Sequence, residues 1–299
     1  MERILIAGCG DIAMRVALLL QGRYRLFGLA RRTGRFAELR AAGITPLPGD
    51  LDDRASLARI VGLADIVLHF APPPAATHLK NADRERLGID LRTRNLLAAL
   101  ARGKLPKHLI YISTSGVYGD CGGAHVNETR PPDPQTARAQ LRADAEQQIR
   151  NWAGRNQVNA GILRVPGIYA ADRLPLERLR ANTPAIIREE DSYTNHIHAD
   201  DLARIVVAAL HHGKPNRVYH ASDDSQMKMG DYFDAVADAH GLPRPPRLPR
   251  AEVERNVPPA LWLFMNESRR LSNERMKQEL KVELRYPAVT GALTSIKNA

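Results

Sequence analysis

The stretch RILIAGCGDIA, residues 3–13, decides the fold of this 299-residue chain. A strand-length apolar run leads into the pattern G-x-G-x-x-A, and a helix-forming segment follows it. In such a loop Gly8 permits a tight turn, Gly10 lets the backbone approach a pyrophosphate, and Ala13 permits close helix–strand packing. Asp11 and Ile12 begin the helix, whose unpaired N–H groups attract phosphate. The pattern predicts a dinucleotide site at these five residues; a glycine-rich turn without a ligand is the alternative.

From residue 3 to about residue 165, short apolar runs alternate with helix-length amphipathic segments. The runs lack polar alternation, which is typical of parallel strands buried on both faces. We predict strands at Arg3–Ala7, Tyr24–Leu29, Thr45–Leu47, Ile66–Phe70, His108–Ser113 and Asn159–Val165. We predict helices at Ile12–Gln21, Arg35–Ala42, Asp53–Leu63, Asp83–Arg102 and Gln135–Arg155. This order predicts an α/β fold with a Rossmann-type, doubly wound parallel sheet.

After Val165 the alternation changes. We predict a Rossmann domain over residues 1–165, to which residues 193–221 return. Residues 166–299 are expected to form a smaller, mostly helical substrate lobe that is interleaved with it. The elements expected there are helices at Asp200–His211, Met229–His240, Ala260–Ser268 and Asn273–Leu280, a strand at Val218–His220, and a Pro-rich linker, GLPRPPRLPR.

Composition excludes several classes of protein. Hydrophobic residues make up 44% of the chain and charged residues 25%, which excludes global disorder. Cys9 and Cys121 are the only cysteines, so there is no disulfide framework, and a reducing, cytoplasmic setting is expected. No apolar run is long enough to span a bilayer, and we predict no membrane association. The net charge is +10, but the cations are scattered, so we expect anionic small molecules and no nucleic acid as partners.

The end of the second predicted strand indicates which dinucleotide binds. NAD-binding proteins usually carry an acidic residue there, which binds the ribose 2′-hydroxyl. Ala30 stands at that point, and Arg31 and Arg32 follow it. Two guanidinium groups can hold a 2′-phosphate through charge-assisted hydrogen bonds. We therefore predict NADP in preference to NAD; two exposed surface arginines are the alternative.

Several further segments carry a family resemblance over nearly the whole chain. They are GDL (49–51), ISTSGVYG (112–119), LRVPGIY (163–169), NHIHADDL (195–202), LSNER (271–275) and LRYP (284–287). Together they resemble an extended or atypical short-chain dehydrogenase/reductase of the NAD(P)-dependent epimerase/dehydratase superfamily, in the bacterial branch described as sugar-nucleotide epimerase-like. The resemblance implies that Asp50 and Leu51 contact the adenine. It also implies that the turn Phe70-Ala71-Pro72 passes the ribose and the nicotinamide.

The same resemblance implies a catalytic centre, from which this chain departs. Thr114 occupies the position of the family's Ser or Thr that orients the substrate oxygen. Counting back from Glu146, Arg142 stands where the family has its Lys, and Arg138 stands where it has its catalytic Tyr. An arginine stays protonated and cannot act as a general acid or base. Arg142 can still donate hydrogen bonds to the ribose, and Arg138 can clamp an anionic substrate.

Two functions therefore stay open. One is an NADP-dependent oxidoreductase, epimerase or dehydratase that acts on a sugar nucleotide or a similar polar carbonyl or alcohol, with non-standard proton transfer. The other is a catalytically inactive NADP(H)-binding sensor or regulatory protein. We predict no metal site, because His196 and His198 have no nearby cysteine and no HExxH pattern. In many relatives the helices predicted at Asp83–Arg102 and Gln135–Arg155 pair two subunits, so the resemblance implies a homodimer, with a monomer as the alternative.

Overall fold

A computed structural model describes residues 1–74 and 88–297 of the chain. Its strands, in chain order, are β1 (Arg3–Ala7), β2 (Arg25–Ala30), β3 (Ile44–Pro48), β4 (Ile66–His69), β5 (His108–Thr114), β6 (His125–Val126), β7 (Asn159–Val165), β8 (Gly167–Tyr169), β9 (Ala185–Ile186), β10 (Tyr193–Thr194), β11 (His196–His198), β12 (Arg217–His220), β13 (Met227–Lys228), β14 (Arg247–Leu248) and β15 (Arg270–Leu271). Its α-helices are α1 (Asp11–Leu20), α2 (Phe36–Ala41), α3 (Leu91–Leu100), α4 (Ala137–Asn156), α5 (Leu176–Arg180), α6 (Ala199–His212), α7 (Met229–His240), α8 (Arg250–Asn256), α9 (Pro259–Met265), α10 (Glu274–Leu280) and α11 (Val289–Lys297).

Seven strands form one central sheet in the order β12-β7-β5-β4-β1-β2-β3, and every pair in it is parallel. The order reverses beside β1, because the chain moves outward first through β2 and β3 and then through β4, β5, β7 and β12. In open α/β sheets, ligands bind at such a switch point, outside the carboxyl ends of the strands. The Rossmann-type, doubly wound sheet predicted from the sequence is confirmed.

The central strands are buried on both faces, as their unbroken apolar sequence requires. Ile4 and Ile6 of β1 pack into one apolar cluster with α1 and α6, whereas Leu5 and Ala7 pack into a second cluster with α3 and α4. Successive side chains of a strand point to opposite faces, so the two clusters lie on opposite sides of the sheet. The result is a three-layer α/β/α arrangement.

Residues after β7 contribute to both the sheet and a separate apolar cluster. β12 pairs with β7 at the edge of the sheet, and α6 packs against α1. A third cluster gathers apolar side chains between Tyr169 and Leu293, among them those of α7 and α11. No helix in the described part of the chain is both long enough and apolar enough to cross a membrane.

The helix predicted at Asp53–Leu63 is present only as a 3₁₀ helix, and it is shorter than predicted, at Arg54–Ile60. The Asp53 carboxylate accepts a hydrogen bond from the Ala55 N–H, and the Ser56 hydroxyl donates to the Asp53 carbonyl at 2.7 Å. Short polar side chains that hydrogen-bond to the nearby backbone compete with the regular helical pattern.

The helix predicted at Asp83–Arg102 lies partly outside the described residues, which resume at residue 88. Within the described part it begins at Leu91, later than predicted. The Asp90 carboxylate accepts hydrogen bonds from the Arg92 and Thr93 N–H groups, at 3.0 and 3.1 Å. Asp90 is therefore the N-cap, the residue that satisfies the free N–H groups of a first helical turn.

The C-terminal part holds more regular structure than the sequence predicts. The Pro-rich linker contains β14, whose Arg247 and Leu248 pair with Ala185 and Ile186 of β9. Helices α8 and α11 are also additions. Each of the two short β14 and β9 segments needs the other to satisfy its backbone groups, and local sequence carries no signal for pairing between segments 60 residues apart.

Candidate functional site

The turn between β1 and α1 requires glycine at one position and leaves space at another. Gly8 has a φ of +107°, and a Cβ atom there would lie only 2.3 Å from the Ala71 backbone nitrogen. Gly10 has a φ of −89°, and a Cβ there would meet no protein atom within 4 Å. The structure therefore needs glycine at residue 8 for the turn itself. At residue 10, glycine leaves open the space in front of the first turn of α1.

A cleft of about 560 Å³ opens over this turn, at the carboxyl ends of β1, β2, β4 and β5. Every residue that the sequence assigns to cofactor binding lines it: Gly8, Gly10, Asp11, Ile12, Ala13, Arg31, Arg32, Asp50, Leu51, Phe70, Ala71, Pro72 and Arg142. Lining residues that sequence reasoning missed are Cys9, Leu29, Ala30, Arg35, Gly49, Arg92, Ile112, Ile168 and Arg173. The cleft is thus built from strand ends that lie far apart in the sequence.

Three arginines, Arg31, Arg32 and Arg35, line the cleft, and Arg35 also pairs with Glu38 at 2.7 Å. The Arg31 guanidinium lies 3.7 Å from the Asp52 carboxylate, and its side chain is 56% exposed. The Arg32 guanidinium has no hydrogen-bond or ion-pair partner within residues 1–74 and 88–297. Arg35 donates to the Cys9 carbonyl at 2.6 Å, which holds its side chain against the glycine turn. The group of basic residues after β2 therefore includes Arg35, which lies in the 3₁₀ turn that follows Arg31 and Arg32.

Arg92 joins the turn after β4 to Asp52, the same carboxylate that Arg31 approaches. Its guanidinium donates to both Asp52 oxygens, at 2.7 and 2.6 Å, and to the Pro72 carbonyl at 2.9 Å. The Phe70 and Ala71 N–H groups both donate to the Ala7 carbonyl at 2.8 Å. These contacts fix the turn after β4 relative to the glycine turn.

His69, which ends β4, is completely buried and packs within the fold. Its Nε2 lies 2.8 Å from the Thr93 hydroxyl. Burial, with a smaller contribution from the Arg142 charge, lowers the pKa of His69 to about 3. The imidazole is therefore neutral at physiological pH.

At the β5 end of the cleft, Arg142 is buried and held by the strand. It donates to the Ile112 carbonyl at 2.6 Å and to the Tyr111 hydroxyl at 3.1 Å. Its Nε has no partner among the described residues, although it is buried. Arg138, one helical turn earlier on α4, is exposed.

Thr114 is half-buried at the end of β5 and does not line the cleft itself. Its Oγ1 accepts a hydrogen bond from the Gly116 N–H at 3.2 Å, which caps the 3₁₀ turn Ser115–Tyr118. The hydroxyl hydrogen remains available to donate to another group. Thr114 and Arg142 thus stand at the same end of the sheet, where Arg142 and Ile112 line the cleft and Thr114 does not.

A buried polar network supports this end from behind. Glu146 accepts from the Ser113 hydroxyl at 2.6 Å and pairs with the Arg164 guanidinium at 2.6 Å. Arg164 also donates to the Tyr118 hydroxyl at 2.6 Å, and that hydroxyl lies 2.6 Å from His220 Nε2. Glu146 and Arg164 are each about 3% exposed, so the pair is isolated from water. The network connects α4, β7 and β12 to the segment that follows Thr114.

The two histidines considered as metal ligands are both buried at the junction after β8. His198 Nδ1 accepts from the Asp200 N–H at 3.2 Å and caps α6. His196 stacks at 4.1 Å on the Tyr232 ring. Within residues 1–74 and 88–297 no three His, Cys, Asp or Glu side chains are arranged to hold a metal ion.

The C-terminal segment after α9 also reaches the β5 end. Glu267 and Arg269 form an ion pair at 2.6 Å, with side chains only 11% and 10% exposed. Arg269 also donates to the Gly119 carbonyl. Nothing in the local sequence signals this contact, because it joins residues about 150 positions apart.

Comparison with known proteins gives a consistent result. The family model described as the NAD dependent epimerase/dehydratase family matches residues 12–222. A dTDP-glucose 4,6-dehydratase of Mycolicibacterium smegmatis is 29% identical over 186 residues, which are 57% of this chain and 55% of that protein. The chain thus spans about half the length of this curated relative.

Solved structures resemble the chain over its whole length. A functionally unknown conserved protein from Silicibacter pomeroyi has a TM-score of 0.78 at 27% identity, covering 100% of this chain and 99% of that one. The UDP-glucose 4-epimerase of Thermotoga maritima, solved with UDP-glucose, has a TM-score of 0.78 at 18% identity, covering 99% and 97%. At that identity the second likeness shows the fold alone. With a family model matched over more than half of its length, this chain belongs to the NAD dependent epimerase/dehydratase family.

Proposed function

We propose that this protein is an NADP-dependent oxidoreductase of the epimerase/dehydratase type, acting on a sugar nucleotide or a similar polar alcohol or carbonyl compound. The observation that carries the proposal is the cleft over the glycine turn, with Arg31, Arg32 and Arg35 on one side of it. The dTDP-glucose 4,6-dehydratase that is 29% identical over 57% of this chain supports the substrate class.

The residues of the cleft fit a nicotinamide dinucleotide. The free space in front of Gly10 and the N–H groups at the start of α1 suit a pyrophosphate. Arg31, Arg32 and Asp50 line the cleft. In this proposal the two arginines would bind a 2′-phosphate, and Asp50 would contact the adenine. When bound, the nicotinamide supplies a hydride acceptor or donor.

The remaining roles concern the chain's own side chains at the β5 end. The Phe70-Ala71-Pro72 turn and Arg142 would contact the nicotinamide ribose, and Thr114 would orient a substrate oxygen. The exposed Arg138 would clamp an anionic substrate group, such as a diphosphate. We also keep the division into a Rossmann domain (1–165, with 193–221) and a substrate lobe (166–299), which the separate apolar cluster after β8 supports.

The second candidate is an NADP(H) sensor without turnover. Arg138 and Arg142 favour it, because neither guanidinium can transfer a proton near neutral pH. Arg142 is moreover tied to the Ile112 carbonyl and the Tyr111 hydroxyl. Both candidates require NADP(H) binding, so that binding is the first property to measure.

The experiment is a fluorescence titration of the full chain with NADPH and with NADH. It is repeated on an Arg31→Ala/Arg32→Ala variant and on an Arg54→Ala/Arg59→Ala control, whose exposed arginines lie outside the cleft. Each charge-assisted contact contributes about 1.5–3 kcal/mol. The first variant should therefore lose at least about tenfold in NADPH affinity, and its NADH affinity should stay unchanged.

If the Arg31→Ala/Arg32→Ala variant binds NADPH and NADH with the same affinities as the Arg54→Ala/Arg59→Ala control, the NADP assignment is contradicted. If neither nucleotide binds the wild type, both candidate functions fail. Tight NADPH binding would justify a turnover screen against UDP- and dTDP-sugars, which separates the enzyme from the sensor.

A further inference from the structure

Glu267 lies beside the position at which the proposed function lacks a proton-transfer group. It follows α9, and its side chain is only 11% exposed. A Cβ atom built on Gly116 would have Thr114 Oγ1 at 3.5 Å and Glu267 Oε2 at 3.9 Å. The Thr114 hydroxyl and the Glu267 carboxylate therefore face the same small space.

That space exists because residue 116 is glycine. The three atoms nearest to a Cβ there belong to Thr114 and Glu267, and all lie at ordinary van der Waals distances. No side chain of residue 116 separates the hydroxyl from the carboxylate. A substrate hydroxyl that hydrogen-bonds to Thr114 would consequently be within reach of Glu267.

The carboxylate is held in a defined position. Arg269 donates to Glu267 Oε2 at 2.6 Å and also donates to the Gly119 carbonyl, which anchors the pair to the turn after β5. Ser268 lies between Glu267 and Arg269 in the chain. Its N–H donates to Asp120 at 2.8 Å, and its carbonyl accepts from the Cys121 and Gly123 N–H groups at 3.0 Å. The tail is therefore bound at several points to the loop beside Thr114.

We infer that Glu267 is the group that exchanges a proton with the substrate oxygen oriented by Thr114, and that Arg269 positions it. This inference rests on the proposed function. When a substrate alcohol is oxidised, its C–H bond breaks and the hydrogen leaves with both electrons as a hydride to the NADP⁺ nicotinamide. Its O–H bond breaks, the proton moves to a Glu267 oxygen, and the C–O bond becomes a carbonyl. The proton then leaves to water, and reduction follows the same steps in reverse.

Proton transfer suits a carboxylate better than it suits Arg138 and Arg142, which stand where the family has its Tyr and Lys. A glutamate carboxylate accepts hydrogen bonds and protons, whereas the Arg138 and Arg142 guanidinium groups only donate. General acid–base catalysis also requires the group to be within hydrogen-bond reach of the reacting oxygen. Within the described residues, Glu267 is the carboxylate that the Gly116 gap places beside Thr114.

The first test needs no substrate and uses NADP⁺ and NADPH as probes. The proposed role places the Glu267 carboxylate near the nicotinamide, where its negative charge would favour the positively charged oxidised ring over the neutral reduced ring. Glu267→Gln should therefore weaken NADP⁺ relative to NADPH by about threefold to tenfold at constant ionic strength. Glu267→Asp keeps the charge and should keep the affinity ratio, as should Glu254→Gln, which changes an exposed glutamate of α8. A ratio that Glu267→Gln leaves unchanged would overturn the inference, because a purely structural ion pair does not sense the redox state.

The second test uses the UDP- or dTDP-sugar that the wild type turns over. Glu267→Gln should lower kcat by about 100- to 10,000-fold with a smaller change in KM. Glu267→Asp withdraws the carboxylate by one methylene and should lower kcat less than Glu267→Gln does. It replaces Glu267→Gln in the test if that variant does not fold. If both variants turn over the sugar as fast as the wild type, the role of Glu267 is overturned, and the oxidoreductase proposal stands. Cofactor binding without turnover of any sugar by the wild type overturns the oxidoreductase proposal and this role with it.

Discussion

The two ends of the cleft are built in different ways. The glycine-turn end comes from residues 8–13 and 30–35, two short stretches that follow neighbouring strands. At or beside the β5 end lie Thr114, Arg142 and Glu267, which belong to three segments, the first and last of them about 150 residues apart. The first end depends on backbone conformation, whereas the second depends on side-chain packing and buried charge. Mutations should therefore damage the two ends by different physical routes.

The largest expected effect concerns the buried network behind the β5 end. Arg164→Met leaves the Glu146 carboxylate, about 3% exposed, without its ionic partner. Removing one partner of a buried ion pair typically costs about 3–5 kcal/mol. We expect that loss in the free energy of unfolding measured by urea denaturation.

The matched control is Arg94→Met, which changes an exposed arginine of α3 and should alter stability by less than about 0.5 kcal/mol. Equal losses in the two variants would show that the network does not support the β5 end.

A somewhat smaller effect is expected at the glycine turn. Gly8→Ala forces a non-glycine residue to a φ of +107° and brings its Cβ to within 2.3 Å of the Ala71 nitrogen. Strain and overpacking together should cost about 2–4 kcal/mol. Gly10→Ala meets no protein atom and should leave the melting temperature unchanged.

The affinity for NADPH should show the effect of Gly10→Ala that the melting temperature does not show. A methyl group on Gly10 would occupy the space in front of α1, so Gly10→Ala should weaken binding while the fold stays intact. If Gly10→Ala binds NADPH as the wild type does, the pyrophosphate does not lie in front of α1.

The effect expected for a single unit of pH is smaller, and both ends share it. Burial, with a smaller contribution from Arg142, lowers the pKa of His69 to about 3. Burial, with smaller contributions from Arg164 and Arg275, likewise lowers the pKa of His220 to about 3. Below about pH 6.5 the unfolded chain binds protons that the folded chain does not, so stability falls as the pH falls.

For each of these histidines the loss should be about 1.4 kcal/mol per pH unit between about pH 6.5 and about pH 3. His69→Asn and His220→Asn should each flatten the pH dependence of the unfolding free energy by that amount, and His125→Asn, at an exposed position, should not. A slope that stays the same in all three variants would show that these imidazoles are already charged in the folded protein.

Sequence reasoning succeeded where a feature depends on neighbouring residues. The stretch 3–13 predicted β1 and α1 to within one residue, and the unbroken apolar runs predicted the parallel sheet. It was less accurate where side chains compete with the backbone, as at Asp53 and Ser56, or where a cap such as Asp90 sets the start of a helix. Arg35 was missed because its guanidinium reaches the cleft by folding back from a 3₁₀ turn onto the Cys9 carbonyl.

The sequence by itself determined the fold class, the position of the glycine turn and the basic end of β2, because glycine conformation, apolar periodicity and charge are local properties. The tertiary structure alone decided that Arg142 is held by β5, that Glu146 and Arg164 form a buried pair, and that Thr114 and Glu267 both lie beside Gly116. Those contacts join segments far apart in the chain, and their formation depends on how the layers pack rather than on any residue's immediate neighbours.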